Sequence, residues 1–160
     1  MKRMKRKKSN ISSPHCPICD CPTQLVTGKE VYPHRKDLYS KKFYRCITHT
    51  DTFVGCHPNT TKPLGVPAPP ELRKLRSQVH QLFDPIWKND SETSRTKAYK
   101  WFSKQMALPP SITHVGMFDK AQCLKAIVLL EQYHEDEKEK LHQKLQKQKW
   151  KPKDNLTFED

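Results

Sequence analysis

The hydrophobic positions of the chain follow two different patterns, which meet near residue 66. Between residues 15 and 66, Val, Tyr, Phe and Thr occur in short runs separated by turn residues, at positions 24–27, 30–32, 43–45 and 52–55. Short runs of this composition are typical of β-strands in a half-buried sheet. The pattern therefore predicts two short β-hairpins in this segment.

Beyond residue 70 the apolar positions recur at steps of three and four, which is typical of amphipathic helices. The first helical stripe consists of Leu72, Leu75, Val79, Leu82, Phe83 and Ile86. Pro70 lies where the first turn of a helix tolerates proline, and Pro85 marks an end or a kink. Ser94 and Asp119 are predicted N-caps of a second and a third helix, the third with a capping box to Gln122.

The last part of the chain loses the apolar stripe. Residues 135–149 consist mainly of charged residues and glutamine, with only Leu141 and Leu145 at helical spacing. They predict either a projecting charged helix or a tail that ends near Pro152. At the other junction, the prolines between residues 63 and 70 predict a stiff connector between two modules.

Composition indicates that the hydrophobic core is small. The chain has 160 residues, and 34% of them are hydrophobic. This is below the roughly 45–50% apolar content of typical globular domains, and a core of this size often needs bracing, for example by a metal ion. The longest nearly unbroken apolar run, residues 126–130, is too short to span a bilayer, so we expect no integral membrane protein and no membrane partner.

The N-terminal residues do not have the pattern of a secretory signal. Residues 1–14 form a basic arm in which serine and asparagine stand where a signal peptide has its apolar stretch. We therefore expect the protein in the cytoplasm. In that reducing compartment, six cysteines are more typical of metal ligands or free thiols than of disulfides.

The cysteines carry the most specific chemical pattern. Cys16 and Cys19 form a Cys-x2-Cys knuckle, and Cys46 and His49 form a second pair with the same spacing. Two such pairs provide the four soft or borderline ligands of a structural zinc site, with no coordination position left for a reactive water. The fourth ligand is open at this point, since three other residues are credible substitutes for His49: Cys21, Cys56 and His57.

Together these patterns predict an α+β fold. A small, β-rich, zinc-ribbon-like module at residues 15–66 is followed by a unit of about three helices at residues 67–134. The basic arm at residues 1–14 precedes them, and a charged helical extension or tail at residues 135–160 follows.

The charge of the chain points to an anionic partner. It carries 30 Lys and Arg against 17 Asp and Glu, a net charge of +13, and the excess is not confined to the arm. Basic helical faces beside a basic arm bind phosphate and release counterions, which makes association salt-sensitive. We therefore expect a non-enzymatic, zinc-containing protein that contacts nucleic acid (DNA or RNA) or a nucleoprotein machine. The candidate contacts are Lys2, Arg3, Lys5, Arg6, Lys7, Lys8, Arg73, Lys74, Arg76, Arg95, Lys97, Lys100 and Lys104.

Two other functions remain open. A protein–protein adaptor, or an inhibitor of a host enzyme or defence system, could use Trp87, Trp101 or Trp150 as interface anchors. A metal-dependent nuclease could be centred on His57, although the helix that follows offers few further metal ligands. We therefore assign no catalytic residue.

Several stretches resemble a family of small phage and bacterial proteins described as zinc-finger-containing. They are Cys-Pro-Ile-Cys at 16–19, Phe-Val-Gly-Cys-His at 53–57, Lys-Pro-Leu-Gly at 62–65, His-Gln-Leu-Phe-Asp-Pro-Ile-Trp at 80–87 and His-Val-Gly-Met-Phe-Asp-Lys-Ala-Gln-Cys at 114–123. The family pattern has Cys-x2-Cys at its second knuckle, where this chain has His49, so the site would contain three cysteines and one histidine. The resemblance implies a zinc module fused to a helical unit and a phage or prophage origin, hence a host-cell cytoplasm, and it implies no reaction.

Overall fold

The computed structural model of the chain describes residues 13–90 and 93–150. Three strands and four helices follow in the order β1 Gln24–Thr27, α1 Gly28–Val31, β2 Lys42–Arg45, β3 Phe53–Gly55, α2 Pro70–Lys88, α3 Arg95–Met106 and α4 Lys120–Lys149. Three single 3-10 turns lie at Lys36–Leu38, Pro110–Ile112 and Val115–Met117. The predicted α+β fold, with its β-rich module ahead of the helices, is confirmed.

The strands form one antiparallel sheet in the order β1-β2-β3 rather than two separate hairpins. Tyr44 in the central strand pairs with Leu25 on one side and with Val54 on the other. Residues of β2 and β3 supply a small core for the sheet, consisting of Phe43, Tyr44, Phe53 and Val54. Since this core is so small, it leaves the module dependent on further support.

The predicted strand at residues 30–32 is wrong, because residues 28–31 form the short helix α1. The backbone N–H of Thr27 donates to the carboxylate of Glu30 at 3.0 Å, as part of a capping box. Gly28 donates to the carbonyl of Lys41 at 2.7 Å, and a Cβ at Gly28 would collide with the backbone of Leu38. Local capping and this close backbone approach therefore override the strand preference of Val31 and Tyr32.

The main core lies among α2, α3 and α4. Ser94 caps α3 by accepting from the N–H of Lys97 at 3.3 Å, and Asp119 and Gln122 form the predicted capping box at the start of α4. Pro85 does not end α2, which continues to Lys88. The core consists of Val79, Phe83, Ile86, Ala98, Phe102, Met106, Val115, Phe118, Cys123, Ala126 and Leu130. Across the described ranges, no helix combines the length and apolar character that crossing a bilayer requires.

The proline-rich connector is packed between the sheet and the helices. Pro67 and Ala68 are buried, and Ala68 exchanges two backbone hydrogen bonds with Phe53, at 3.1 and 3.3 Å. Val66 donates to the carbonyl of Gly116, at 2.9 Å. The connector therefore hydrogen-bonds the sheet on one side and the turn before α4 on the other.

Arg73 of α2 strengthens the same junction. Its guanidinium donates to the carbonyl of Ala68 at 2.7 Å and to that of Asp51, and it lies 3.8 Å from the centroid of the Phe53 ring. A guanidinium can satisfy carbonyls and cover an aromatic face at the same time because it is planar and carries several donors. This side chain therefore ties α2 directly to the sheet.

Beyond the core, α4 continues as the predicted charged helix rather than as a tail. His134 still contacts the body, with Nε2 2.6 Å from the carbonyl oxygen of Leu82. From Glu135 through Trp150 every residue is exposed. Ion pairs one turn apart, such as Lys138–Glu135 at 2.9 Å, lie along this part of the helix.

Replacing Gly65 by alanine is expected to lower the free energy of unfolding by about 2–3 kcal/mol. A Cβ at Gly65 would lie 2.1 Å from the carbonyl oxygen of Gly116, which is backbone and cannot rotate away. Gly55→Ala is the matched control, since its Cβ would meet only side-chain atoms, the nearest 3.5 Å away, and neither glycine has a positive φ. Urea unfolding of both variants measures the difference. Equal stability of the two variants would contradict the close packing of the connector.

Candidate metal centre

Four of the residues predicted as zinc ligands form one cluster, consisting of Cys16, Cys19, Cys46 and His49. Their ligand atoms all lie within 4.8 Å of one another. Sγ of Cys46 is 3.6 Å from Sγ of Cys19 and 3.6 Å from Nδ1 of His49, and that nitrogen is 3.8 Å from Sγ of Cys16. Zn–S bonds of about 2.3 Å and Zn–N bonds of about 2.0 Å give a tetrahedron with edges of about 3.5–3.8 Å. The ligand set therefore fits a single zinc ion.

The first knuckle is closed by backbone hydrogen bonds before the sheet begins. The N–H of Asp20 donates to the carbonyl of Cys16 at 2.8 Å, and the N–H of Cys16 donates to the carbonyl of Cys21 at 2.9 Å. Asp20 completes the turn in the left-handed region, at φ 57°. This tight turn holds Cys16 and Cys19 on the same side of the loop.

The second knuckle is the loop that joins β2 to β3. The N–H of Cys46 donates to the carbonyl of Thr52 at 3.0 Å, and the N–H of Thr52 donates to the carbonyl of His49 at 2.9 Å. These two bonds extend the pairing of β2 and β3 into the loop, so the sheet itself orients Cys46 and His49. The strands therefore position half of the ligand set.

The polypeptide prepares one thiol for metal binding. The backbone N–H of His49 donates to Sγ of Cys46 at 3.3 Å, and this hydrogen bond is the largest of several that together lower the pKa of the Cys46 thiol to about 6. Cys46 is therefore a thiolate at neutral pH. Burial raises the pKa of Cys16, and a divalent cation bonded to the sulfur reverses that effect by favouring the thiolate.

The cluster resolves which residue supplies the fourth ligand. Cys21, one alternative to His49, is exposed, and its thiol donates to the carbonyl of Cys19 at 3.5 Å instead. Cys56 and His57 line a separate cavity. With three cysteines and one histidine the tetrahedral set is complete, so zinc here braces the module and has no open position for a reactive water.

The cavity beside His57 does not have the composition of a catalytic cation site. Its volume is about 400 Å³, and its lining residues are Ser40, Lys41, Lys42, Cys56, His57, Pro58, Asn59 and Thr60. No carboxylate is among them, whereas the magnesium ions that nucleases use prefer oxygen ligands such as carboxylates. The geometry therefore does not favour a nuclease centred on His57.

The predicted nucleic-acid contacts divide into three groups: exposed cations, cations that pack within the fold, and cations outside the described residues. Lys74 on α2 is exposed. Four cations on α3 are exposed as well, namely Arg95, Lys97, Lys100 and Lys104. Arg73 is half-buried at the junction between α2 and the sheet. The six cations of the arm, Lys2, Arg3, Lys5, Arg6, Lys7 and Lys8, lie outside the described residues.

The prediction that Arg76 contacts nucleic acid is wrong, because the structure buries this side chain instead of placing it on a basic face. Its exposed fraction is 9%. Nε and Nη2 both donate to the carbonyl of Phe118, at 3.0 and 2.9 Å, and Nη1 donates to that of Val66 at 2.7 Å. Burial lowers the pKa of the guanidinium. Arg76 follows Leu72 by four positions and precedes Val79 by three, so helical spacing already placed it on the apolar stripe.

The three tryptophans are not equivalent as interface anchors. Trp87 and Trp101 are half-buried against the helical core, and Trp101 packs on Tyr133 with ring centroids 4.9 Å apart. Trp150, which follows α4, is 82% exposed. It is therefore the only one of the three whose ring surface is largely free for a partner.

Comparison with protein families assigns most of the chain to a known domain family. The model of the zinc-finger-containing domain matches residues 12–133, which include both knuckles, α2, α3 and the buried half of α4. The family resemblance seen in the sequence is thereby confirmed. Neither the curated proteins nor the solved structures include one that matches. The matched range ends immediately before His134, where α4 leaves the body of the protein.

Proposed function

We propose that this chain, which belongs to the family of zinc-finger-containing domains, is a non-enzymatic nucleic-acid-binding protein that contacts phosphates through the basic face of α3. The closed ligand set makes zinc a structural component that holds the β-module together. Binding rather than catalysis is favoured, because neither the zinc cluster nor the cavity beside His57 provides an open metal position with carboxylate ligands.

One observation supports this proposal above all, namely the excess of positive charge along α3. Residues 94–118 contain no Asp or Glu, while the four cations of the helix are exposed. Among the ion pairs within residues 13–90 and 93–150, none includes a lysine of α3. A cluster of exposed cations in a segment without Asp or Glu attracts anions, and its pairing with phosphates releases counterions.

The spacing of these lysines suits a phosphate polymer. Lys97, Lys100 and Lys104 follow one another at steps of three and four, which places them on neighbouring positions of one helix face. At a rise of about 1.5 Å per residue they extend over about 10 Å, a distance that several consecutive phosphates of a strand cover. The basic arm would add further phosphate contacts from the same chain.

The double variant K97A/K104A is expected to weaken nucleic-acid binding and to flatten its salt dependence. The slope of log affinity against log salt is negative, and each lost phosphate contact reduces its magnitude by about 0.9 for duplex DNA. Two lost contacts therefore reduce the magnitude by about 2. Fluorescence anisotropy with a labelled duplex, measured between low and moderate salt, gives both quantities.

The control is K138A/K140A, which removes the same number of charges from the exposed part of α4. Both lysines already form ion pairs there, with Glu135 and Glu137. This variant is expected to keep the wild-type slope. If the two double variants change the slope equally, net charge rather than the face of α3 determines binding, and the proposal fails.

A protein–protein adaptor or inhibitor is the second candidate, and exposed apolar residues at the end of α4 favour it. Trp150 is 82% exposed, and Leu141 and Leu145 precede it on the exposed part of the helix. A phage-encoded protein acting on a host enzyme or defence system would use such an anchor. An interface of this kind keeps most of its affinity at moderate salt, which distinguishes it from phosphate binding.

A further inference from the structure

A second cavity of about 480 Å³ lies against α3 and is lined by Arg95, Thr96, Tyr99, Lys100, Pro110 and His114. Its volume falls in the range of about 300–1,000 Å³ that is usual for small-ligand sites. Since α3 and the loop after it form its two sides, the cavity adjoins the basic face proposed to bind phosphates. The zinc cluster does not contribute to it.

Two rings form part of the wall of this cavity. Tyr99 is half-buried, and its ring packs edge-on against Phe83, a fully buried core residue, with centroids 4.8 Å apart. The ring of His114 lies 6.2 Å from that of Tyr99 and is exposed. Tyr99 thus packs against the core, and the exposed ring of His114, tilted by 50° to that of Tyr99, presents a planar surface beside it. Rigid aromatic surfaces of this kind stack well on flat ligands.

The charged groups of the cavity are cations only. The guanidinium of Arg95 lies 4.9 Å from the ring centroid of Tyr99 and 5.6 Å from that of Trp87, so stacking preorganises it. Lys100 follows five positions later on α3, and no Asp or Glu lines the cavity. A ligand that fits must therefore combine a flat ring with negative charge.

We infer that this cavity binds one unstacked nucleotide of a single-stranded nucleic acid, with the base stacked on the exposed ring of His114 beside Tyr99 and a phosphate against Arg95 and Lys100. The inference rests on the proposed function and deepens it by naming the strand state that α3 recognises. In a duplex, both faces of each base are covered by its neighbours, whereas single strands offer free faces that stack on aromatic side chains. The protein should therefore prefer single strands to duplexes of the same length.

Two pairs of cations on α3 allow a matched test. R95A/K100A removes the pair that lines the cavity, and K97A/K104A removes a pair outside it. The probes are a six-nucleotide single-stranded DNA, a duplex of the same sequence and thymidine 5′-monophosphate. R95A/K100A is expected to bind the single strand about tenfold more weakly and to lose the preference of the protein for single-stranded over duplex DNA. It should also no longer bind the mononucleotide. K97A/K104A should weaken both polymers by a similar factor and keep their ratio.

The histidine provides a test that does not depend on charge. His114→Ala should weaken single-strand binding several-fold, and His114→Phe should restore most of it, because the phenyl ring still stacks on a base. Thermal unfolding verifies that each variant is folded. An intermolecular nuclear Overhauser effect between base protons and the Tyr99 ring should appear in the wild-type complex.

The outcomes separate the two proposals. Salt-dependent binding of both polymers with equal affinity, and no binding of the mononucleotide, would overturn the cavity assignment and leave phosphate binding by α3 intact. Failure of His114→Phe to improve on His114→Ala would also overturn the stacking role. Absence of binding to every probe would refute both.

Discussion

Cys46→Ser is expected to abolish stoichiometric zinc binding and to unfold the β-module. The hydroxyl of serine is a poor zinc ligand, and a structural zinc site contributes folding free energy on the order of 10 kcal/mol. The sheet cannot compensate for this loss, because its own core consists of only a few residues of β2 and β3. Zinc content per chain, together with loss of the dispersed amide signals of β2 and β3 in NMR spectra, measures the effect.

Three other variants make that test specific. Cys21→Ser and Cys56→Ser remove thiols that lie outside the cluster, so both should retain one zinc per chain. His49→Cys should also retain the metal, because it exchanges one good zinc ligand for another at the same position. Most of the far-UV helical signal should survive in Cys46→Ser, since the core among α2, α3 and α4 contains no metal ligand. Full zinc occupancy in Cys46→Ser would refute the assignment.

Arg76→Ala is expected to lower the free energy of unfolding by about 3 kcal/mol without removing a nucleic-acid contact. The guanidinium donates three hydrogen bonds to the carbonyls of Phe118 and Val66, and its removal leaves these oxygens without those donors. Unpaired buried polar groups cost about 1–3 kcal/mol each, and the empty volume adds to this cost. Urea unfolding measures the stability, and anisotropy at a temperature where the variant is folded measures the affinity.

Lys74→Ala is the matched control, because Lys74 is an exposed cation only two positions away on the same helix. We expect its stability to remain within about 0.5 kcal/mol of the wild type. The stability of Arg76→Lys should lie between those of Arg76→Ala and Lys74→Ala, since lysine keeps the charge but lacks the planar set of guanidinium donors. If Arg76→Ala were as stable as Lys74→Ala, the buried bonding of the guanidinium would be disproved.

Local signals in the sequence were sufficient for most of the elements and for three of the four metal ligands, and the structure selects His49 as the fourth. Ser94 and Asp119 identify the starts of α3 and α4, because a capping side chain bonds within its own first turn. The two pairs at 16–19 and 46–49 identify the zinc cluster, since a ligand spacing of two residues is itself a local geometric constraint. In both cases the physical cause lies within a few residues of the pattern that reports it.

The features that sequence reasoning missed depend on contacts between distant parts of the chain. Helical spacing placed Arg76 on the apolar stripe of α2, but no local pattern shows that the guanidinium bonds the carbonyl of Phe118, far along the chain. The connector looked like a spacer, yet its backbone pairs with Phe53 and with Gly116. The cavity against α3 exists only because the loop carrying His114 folds back beside Tyr99. Periodicity and propensity contain no information about such partners.

The helix α4 is 30 residues long, and its second half is exposed throughout when only residues 13–90 and 93–150 are considered. A free helix of that exposed length is marginal in water, because nucleation of the first turn is unfavourable whereas each added residue propagates the helix at little cost. Because the buried half of α4 is already helical in the folded protein, the exposed half can extend from it without a separate nucleation step. Its ion pairs, Lys138–Glu135 and Lys140–Glu137, are exposed and therefore screened by salt. We therefore expect this half to fray from its C-terminal end, with a helicity that falls as ionic strength rises while the body of the protein stays folded.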